Sequence, residues 1–383
     1  MELTSTRDDR LRCGGYEAIF RGIGLYVPAA LPALSPDETS DLPYAALTAR
    51  ILALFLPGVS QAHLQAACGA AYPARFDTPA VCPLVKAGDR YVLELFHGET
   101  AAFKDMALSV MPSLLAFSRA TLGVQDTALI LTATSGDTGS AAMNGFRDLP
   151  GTAALVLYPR DGVSEIQRRQ MTAMPGANVA ACAVDGNFDD CQTEVKHIFA
   201  DAALAERLAA RGAVLSSANS INVGRLAPQV TYYFDSYAQL VRAGAIQLGD
   251  EVTFCVPTGN FGDVLAGYYA KRLGLPVKKL VVASNENDVL TDFLTTGTYN
   301  RLRPFNKTIS PSMDILVSSN LERMLYYFCE GDCELVASLM SNLAEKGSYT
   351  VPAEVLARIQ EVFACGRADD AQTRAEIRST WEG

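Results

Sequence analysis

The sequence predicts an α/β fold built on parallel sheets. Three observations lead there. Apolar strand-like runs at Ala128–Ala133, Ala153–Tyr158, Val179–Val184, Val252–Val256 and Leu280–Ala283 alternate with helical patterns, and such alternation implies parallel strands linked by helices. Small, hydroxyl-rich or glycine-containing turns follow two of those runs directly, which is where open α/β sheets bind ligands. The 383 residues are 49% hydrophobic and 19% charged, enough apolar mass for a large core and for two or three domains.

Taken in order, residues 1 to about 85 are rich in Ala, Leu and Pro and read as helices joined by short loops. A short apolar strand is expected at Tyr91–Phe96. The helical patterns then fall at 104–120, 138–147, 164–173, 188–211, 224–243, 262–274 and 287–296, between the strand runs. From about 319 onward only helical patterns are expected. Neither an internal repeat nor a low-complexity tract interrupts the series.

Charge and cysteine usage exclude several classes. Net charge is −10 and the only basic clusters are pairs such as Lys278-Lys279 and Arg168-Arg169, so the positive footprint that nucleic acid requires is missing. An anionic ligand must be held by a few local cations. The longest apolar run, Ala45–Val59, carries Arg50 and Pro57 and is too short to span a bilayer. The charged N-terminus is not a secretion signal. Nine scattered cysteines fit reduced thiols in a cytoplasmic protein. They form no zinc pattern with His63, His97 and His197. Asp185-Gly186-Asn187-Phe188-Asp189 resembles the start of a calcium loop, but Asp190 replaces the needed glycine and Lys196 the final acid; these residues are expected to cap a helix. Nothing chooses between a monomer and a dimer.

Four stretches carry chemistry. In Glu94-Leu-Phe-His-Gly-Glu-Thr-Ala-Ala-Phe-Lys-Asp-Met-Ala107, Lys104 opens an apolar helix. Held against Phe103, Met106 and Ala107 it would lose hydration, which disfavours its charged form. A lysine that sheds its proton can form a Schiff base with an aldehyde, which points to pyridoxal phosphate; a solvated lysine at a helix start is the alternative. Thr134-Ser135-Gly136-Asp137-Thr138-Gly139-Ser140 follows a strand and opens a helix, offering hydroxyls and free amides to an anion, or merely a helix cap. Val256-Pro257-Thr258-Gly259-Asn260-Phe261-Gly262-Asp263 is a phosphate-cradle candidate, with Gly259 and Gly262 bracketing the turn and a helix dipole behind it. Asn219-Ser220-Ile221-Asn222-Val223-Gly224-Arg225 places an arginine fork beside amide and hydroxyl donors, suited to a phosphate or carboxylate; a capped helix start is the alternative.

These motifs, in this order, resemble the threonine synthase family, pyridoxal-phosphate enzymes of the tryptophan-synthase-β fold. The resemblance runs from Ser5-Thr6-Arg7 and Gly24-Leu25-Tyr26-Val27-Pro28 through His97-Gly98, Thr100, Ala102-Phe103-Lys104-Asp105, Thr132 to Gly139, Asn219-Ser220-Ile221-Asn222 and Gly259 to Asp263, to Ser310-Pro311-Ser312-Met313-Asp314-Ile315. It implies fold type II, with two parallel-sheet α/β domains and a helical N-terminal region. The implied domains are an N-terminal one at 1–85, a catalytic core at 86–318 with a small domain inserted at about 100–215, and an incomplete helical part at 319–383.

The resemblance also implies roles. Lys104 would hold pyridoxal phosphate as a Schiff base and later carry protons, with Phe103 beside it. Gly259, Asn260, Phe261, Gly262 and Asp263 would bind the cofactor phosphate, and Asp137 would lie near the cofactor's O3′ side. Thr134, Ser135, Gly136 and Thr138 would meet the amino-acid substrate; Asn219, Ser220, Asn222 and Arg225 would hold its phosphate. The implied reaction turns O-phosphohomoserine and water into threonine and phosphate, with closure of the domains around substrate. A same-fold lyase releasing 2-oxobutyrate and a catalytically silent ligand-binding protein are the alternatives.

Two departures from the family pattern stand out. Glu99 replaces the usual proline and adds a negative charge near the lysine. The Thr-Ala-His-Pro segment whose hydroxyl faces the pyridine nitrogen does not occur, the last histidine being His197. The expectation is a C-terminally shortened chain that exposes core on one side of the sheet. It would also hold its cofactor less firmly, by about 1 kcal/mol for one neutral hydrogen bond.

Overall fold

The computed structural model describes residues 2–22 and 24–382, and all their side chains but that of Asp189. Two parallel sheets form its frame. The first has the order Val179–Val184, Thr152–Pro159, Thr127–Ala133, Ala213–Ser216, every neighbouring pair parallel. The chain steps outward through three strands and then returns to the far side of Thr127–Ala133. The carboxyl ends of Thr127–Ala133 and Ala213–Ser216 thereby flank a crevice, the usual place for a ligand. The second sheet runs Val252–Pro257, Val277–Ser284, Phe363–Arg367, also parallel. Ala128, Ile130 and Leu131 are buried. Helices cover both faces of such a strand, so it reads as an unbroken apolar run rather than an alternating one.

All five expected apolar runs lie within observed strands. Two strands of the parallel sheets escaped the sequence reading, Ala213–Ser216 and Phe363–Arg367. Both are short edge strands, and Phe363-Ala-Cys-Gly-Arg takes its conformation from the ladder with Leu280–Ser284, not from its own pattern. The expectation of helices alone after 319 is corrected by this strand and by Ser348–Thr350, which pairs antiparallel with Thr298–Asn300. The all-helical N-terminal region is corrected too. A three-stranded antiparallel sheet of Arg12–Cys13, Leu3–Ser5 and Tyr26–Pro28 precedes and flanks the helices there. Strands of two or three residues carry no readable period; buried Leu3 and Val27 hold them. The strand expected at Tyr91–Phe96 is Arg90–Leu93, half of an antiparallel hairpin with Leu84–Ala87.

Three long helical patterns break where their chemistry dictates. The 104–120 pattern divides into Asp105–Leu108 and Met111–Thr121, with Pro112 in the first turn of the second, where its missing N–H costs nothing. The 188–211 pattern divides at Asp201, whose Oδ1 accepts from Leu204 N at 2.9 Å and starts a new helix. The 224–243 pattern becomes Val223–Leu226, a 3-10 turn containing Pro228, and Val230–Arg242. The residues that resemble a calcium loop cap a helix. Asn187 Oδ1 accepts from Asp190 N and the Asp190 carboxylate accepts from Asn187 N, a reciprocal box.

Candidate active site

Three loops leave carboxyl ends of strands, after Ala133, Ser216 and Pro257, and converge on one cavity. A fourth segment, Gly98–Lys104, brings the lysine. That segment is wound around the buried carboxylate of Asp105, which accepts from Thr100 N at 2.8 Å and Thr100 Oγ1 at 2.7 Å. Gly98 packs so close that a Cβ there would lie 2.4 Å from Asp105 Cβ. The winding turns Lys104 inward, where it is 9% exposed. Its Nζ lies 3.8 Å from the centre of the Phe103 ring and 2.9 Å from Asp137 Oδ2.

The electrostatics of the pair are opposed. Burial pulls the Lys104 ammonium below the ordinary lysine value and Arg225 adds to this, against the attraction of Asp137. Burial by itself would raise Asp137, but the Lys104 charge and a hydrogen bond from Ser312 outweigh it and hold the carboxyl below its usual range. Asp137 Oδ1 accepts from Gln167 Nε2 at 2.6 Å and from Ser312 Oγ. The carboxylate is thus oriented from behind while its other oxygen meets the lysine. Gly136 makes room for Gln167: its φ is +140°, and a Cβ would fall 2.3 Å from Gln167 Oε1.

Glu99 does not act on the lysine. Its carboxylate accepts from Arg75 Nη2 at 2.6 Å and Asn144 Nδ2 at 2.5 Å. Those bonds outweigh its partial burial and keep it ionised below the ordinary glutamate value.

The turn after Pro257 leads into the helix Gly262–Leu273. Among the described residues, the amides of 259–264 donate to no acceptor, so residues 259–263 bring unused N–H groups and a helix N-terminus to the cavity wall. The left-handed residue in this turn is Phe261, with φ of +58°, not a glycine. Full burial against Phe363 offsets the conformational cost of about 1–2 kcal/mol. Gly259 and Gly262 contribute by lacking side chains: a Cβ on Gly259 would project toward Ser312 O and Met313 Cα, 3.4 Å from each. Asp263 Oδ1 accepts from Tyr232 at 2.6 Å and Tyr233 at 2.8 Å. Burial nevertheless holds its carboxyl above the usual range.

Across the cavity stands Arg225, 5% exposed, donating to Ala218 O at 2.8 Å and Thr138 Oγ1 at 3.2 Å. It forms no ion pair among the described residues, and burial pushes its guanidinium down to about 10. A buried cation with an unused face can take an anion.

Most of the expected residues meet here. Phe103, Lys104, Ser135, Thr138, Asn219, Ser220, Arg225 and residues 259–263 line the cavity, and Asp137 reaches it through Lys104. Thr134, Gly136 and Asn222 do not line it. Thr134 Oγ1 accepts from Gly136 N and Gly139 N, both at 2.9 Å. Asn222 donates to Ile19 O and Ser217 O and accepts from Gly224 N. These side chains are turned to backbone groups, shaping their loops, and not to the cavity. Gln167, Gln229 and Asn320 were not foreseen, and Ser312 had no role assigned. Gln167 carried one local signal, the Ser164-x-x-Gln167 capping box; Asn320 carried none.

The geometry agrees with the comparisons. A family model described as pyridoxal-phosphate dependent enzyme matches residues 86–339, and one described as threonine synthase N terminus matches 2–72. Threonine synthase from Pseudomonas aeruginosa is 38% identical over 100% of this chain and 80% of its own length. The chain belongs to the threonine synthase family. Human threonine synthase-like 1 is 39% identical over 95% of this chain, which spans about half (51%) of that protein's length. The crystal structure of pyridoxal-phosphate-bound threonine synthase from Brucella melitensis superposes with a TM-score of 0.90 at 38% identity, covering 100% of this chain and 81% of that one. The two-sheet α/β fold is therefore that of the family. Among the described residues no helix is long and apolar enough to cross a membrane.

Pyridoxal phosphate is the cofactor of this family, and the cavity fits it. An amine of lowered proton affinity stands ready for the aldehyde, and a row of open amides for the phosphate. Two buried side-chain oxygens at the wall, Asn219 Oδ1 and Asn260 Oδ1, have no protein partner, as expected of a polar surface that a ligand completes.

Proposed function

We infer that this chain is a threonine synthase, converting O-phosphohomoserine and water into threonine and phosphate. The observation that carries the reading is one buried lysine set between two separate anion sites. The open amides of 259–264 suit a cofactor phosphate, and Arg225 with Thr138 and Ser220 suits a second, leaving phosphate. A phosphorylated amino acid accounts for the second site, and the names of the full-coverage relatives supply the rest.

Pyridoxal phosphate, when bound through Lys104 and the 259–263 turn, supplies an electron sink for charge developing on the substrate carbons. The protein's own groups do the remainder. Lys104 Nζ, its proton affinity lowered by burial, accepts the proton from the substrate's Cα, gives it up, and is then free to accept one from Cβ. Asp137 holds that amine in place and stabilises its charged form between transfers. Phosphate departs from Cγ toward Arg225, whose charge is buried and in direct contact with no carboxylate among the described residues, although Asp137 attracts it from farther off. Lys104 returns the Cβ proton to Cγ; water then gives its OH to Cβ, a proton is restored to Cα, and the remaining proton of water leaves with the phosphate, which completes threonine. Ser135 offers its hydroxyl to the amino-acid part of the substrate from the turn that precedes the helix Asp137–Phe146.

Product analysis tests the reading. With O-phosphohomoserine, the cofactor-loaded protein is expected to release threonine and phosphate in equal amounts. Release of 2-oxobutyrate and ammonia without threonine would refute it in favour of a lyase.

A further inference from the structure

Asn320 is fully buried behind Ser220, just before the helix Leu321–Phe328. Its Nδ2 donates to Ser220 Oγ at 3.0 Å, and its Oδ1 accepts from Arg323 Nη1 at 2.5 Å. The orientation of that amide is not a free choice. A guanidinium has donors and no acceptor, so the oxygen must face Arg323 and the NH2 must face the serine. Arg323 is itself immobile. It is fully buried, donating through Nε to Tyr26 O at 2.9 Å, through Nη2 to Ile221 O at 2.5 Å and through Nη1 also to Ser220 O at 3.3 Å. The backbone N–H of Asn320 donates to Asn260 O at 3.1 Å, so the same residue also ties down the cofactor-phosphate turn.

The consequence falls on the Ser220 hydroxyl. Asn320 occupies one of its lone pairs, and its own proton finds no acceptor among the described residues. Ser220 lines the cavity, so the proton is left for a ligand there. Thr138 is handled in the same way on the other side, its oxygen accepting from Arg225. A hydroxyl can donate or accept, but an anion needs a donor, and the chain Arg323 to Asn320 to Ser220 runs in one direction only.

We propose that Asn320, oriented by Arg323, is a positioning residue that makes Ser220 an obligate donor to the substrate's phosphate. The proposal rests on the reading of the Arg225 side as the site of the leaving phosphate, and it concerns the polarity of that site rather than its location.

Asn320→Asp reverses the polarity with little change of shape. The carboxylate still pairs with Arg323 but accepts the Ser220 proton, which turns a lone pair toward the cavity. In cofactor-loaded protein, the dissociation constant for inorganic phosphate, followed by calorimetry, is expected to rise about 10- to 100-fold, the range for a hydrogen bond to a charged group. KM for O-phosphohomoserine should rise alongside, with kcat changed less and the cofactor's visible absorbance retained. Ser220→Ala should weaken phosphate about 10-fold in the parent but cost nothing further when combined with Asn320→Asp, because the donor is already lost. Phosphate affinity within twofold of the parent overturns the proposal. So do effects that simply multiply, since these would mean that the new charge acts by repulsion alone. Asn320→Ser removes both amide bonds without adding charge. If the aspartate variant does not fold, this one is expected to weaken phosphate about 3- to 10-fold, again without multiplying with Ser220→Ala. Phosphate binding needs no turnover. A parent protein that binds phosphate in this pattern but makes no threonine refutes the reaction and leaves the Asn320 assignment standing.

Discussion

Replacing Arg225 with methionine should make the protein more stable and less able to bind phosphate. The guanidinium is buried with two neutral acceptors, Ala218 O and Thr138 Oγ1, and no carboxylate. Its lowered value of about 10, set against about 12.5 for an ordinary arginine, corresponds to roughly 3 kcal/mol of unfavourable electrostatics at 1.36 kcal/mol per pKa unit. Two hydrogen bonds of about 1 kcal/mol each are lost on substitution. Methionine fills much of the volume, so a net gain of about 1 kcal/mol remains. The sign with pH follows from a cation whose folded value is depressed: the penalty is present in full below about 10 and relieved only above it, so the gain should be constant from pH 6 to 8. Urea denaturation of the cofactor-loaded protein, with and without inorganic phosphate, measures both terms. Phosphate at one hundred times its dissociation constant should stabilise the parent by about 2.7 kcal/mol and the Arg225→Met protein hardly at all. A variant destabilised by more than about 1 kcal/mol that still gains stability from phosphate would show that Arg225 is a structural cation, not the anion site.

Lys104→Ala should abolish the visible absorbance that develops when pyridoxal phosphate is added; a band that survives the substitution assigns the amine elsewhere. It also leaves Asp137 buried without its cation, so stability should fall by about 3–5 kcal/mol, as for other broken buried pairs. His97 contacts two carboxylates, Nδ1 to Asp77 at 2.6 Å and Nε2 to Glu94 at 2.9 Å. Both bonds are made together only when each nitrogen carries a proton, which favours the charged ring and raises its value, chiefly through Glu94. The stability it adds should be complete below the ordinary histidine value and be lost as pH rises through the raised one. Titration of the ring by NMR checks this, and a midpoint at or below the ordinary value counts against it.

Much of the site was legible because its chemistry is local. A strand, a turn of small residues and a helix start occupy a dozen consecutive positions. That pattern exposes the 259–263 amides and the Ser135 and Thr138 hydroxyls wherever the chain goes afterward. The same locality misled at Thr134 and Asn222. Their side chains look like ligand groups in a string of letters, but short polar side chains also bond to nearby backbone, and here they do. Glu99 looked like a perturbation of Lys104 because it is five residues away; Arg75 and Asn144, distant in sequence, take its charge.

By itself the sequence determined the α/β class, five of the seven strands in the two parallel sheets, and the lysine and the two turns that line the cavity, because periodicity and turn chemistry act over a few residues. Tertiary structure alone decided which groups face one another. Asp137 meets Lys104 across 33 positions, Ser312 meets Asp137 across 175, and Asn320 meets Ser220 across 100. It also placed the two edge strands, whose residues have weak preferences of their own and adopt the conformation of the ladder beside them. Burial is the common reason. Once these side chains leave water, each must find a partner, and the partner is whichever group the folded chain has brought within reach.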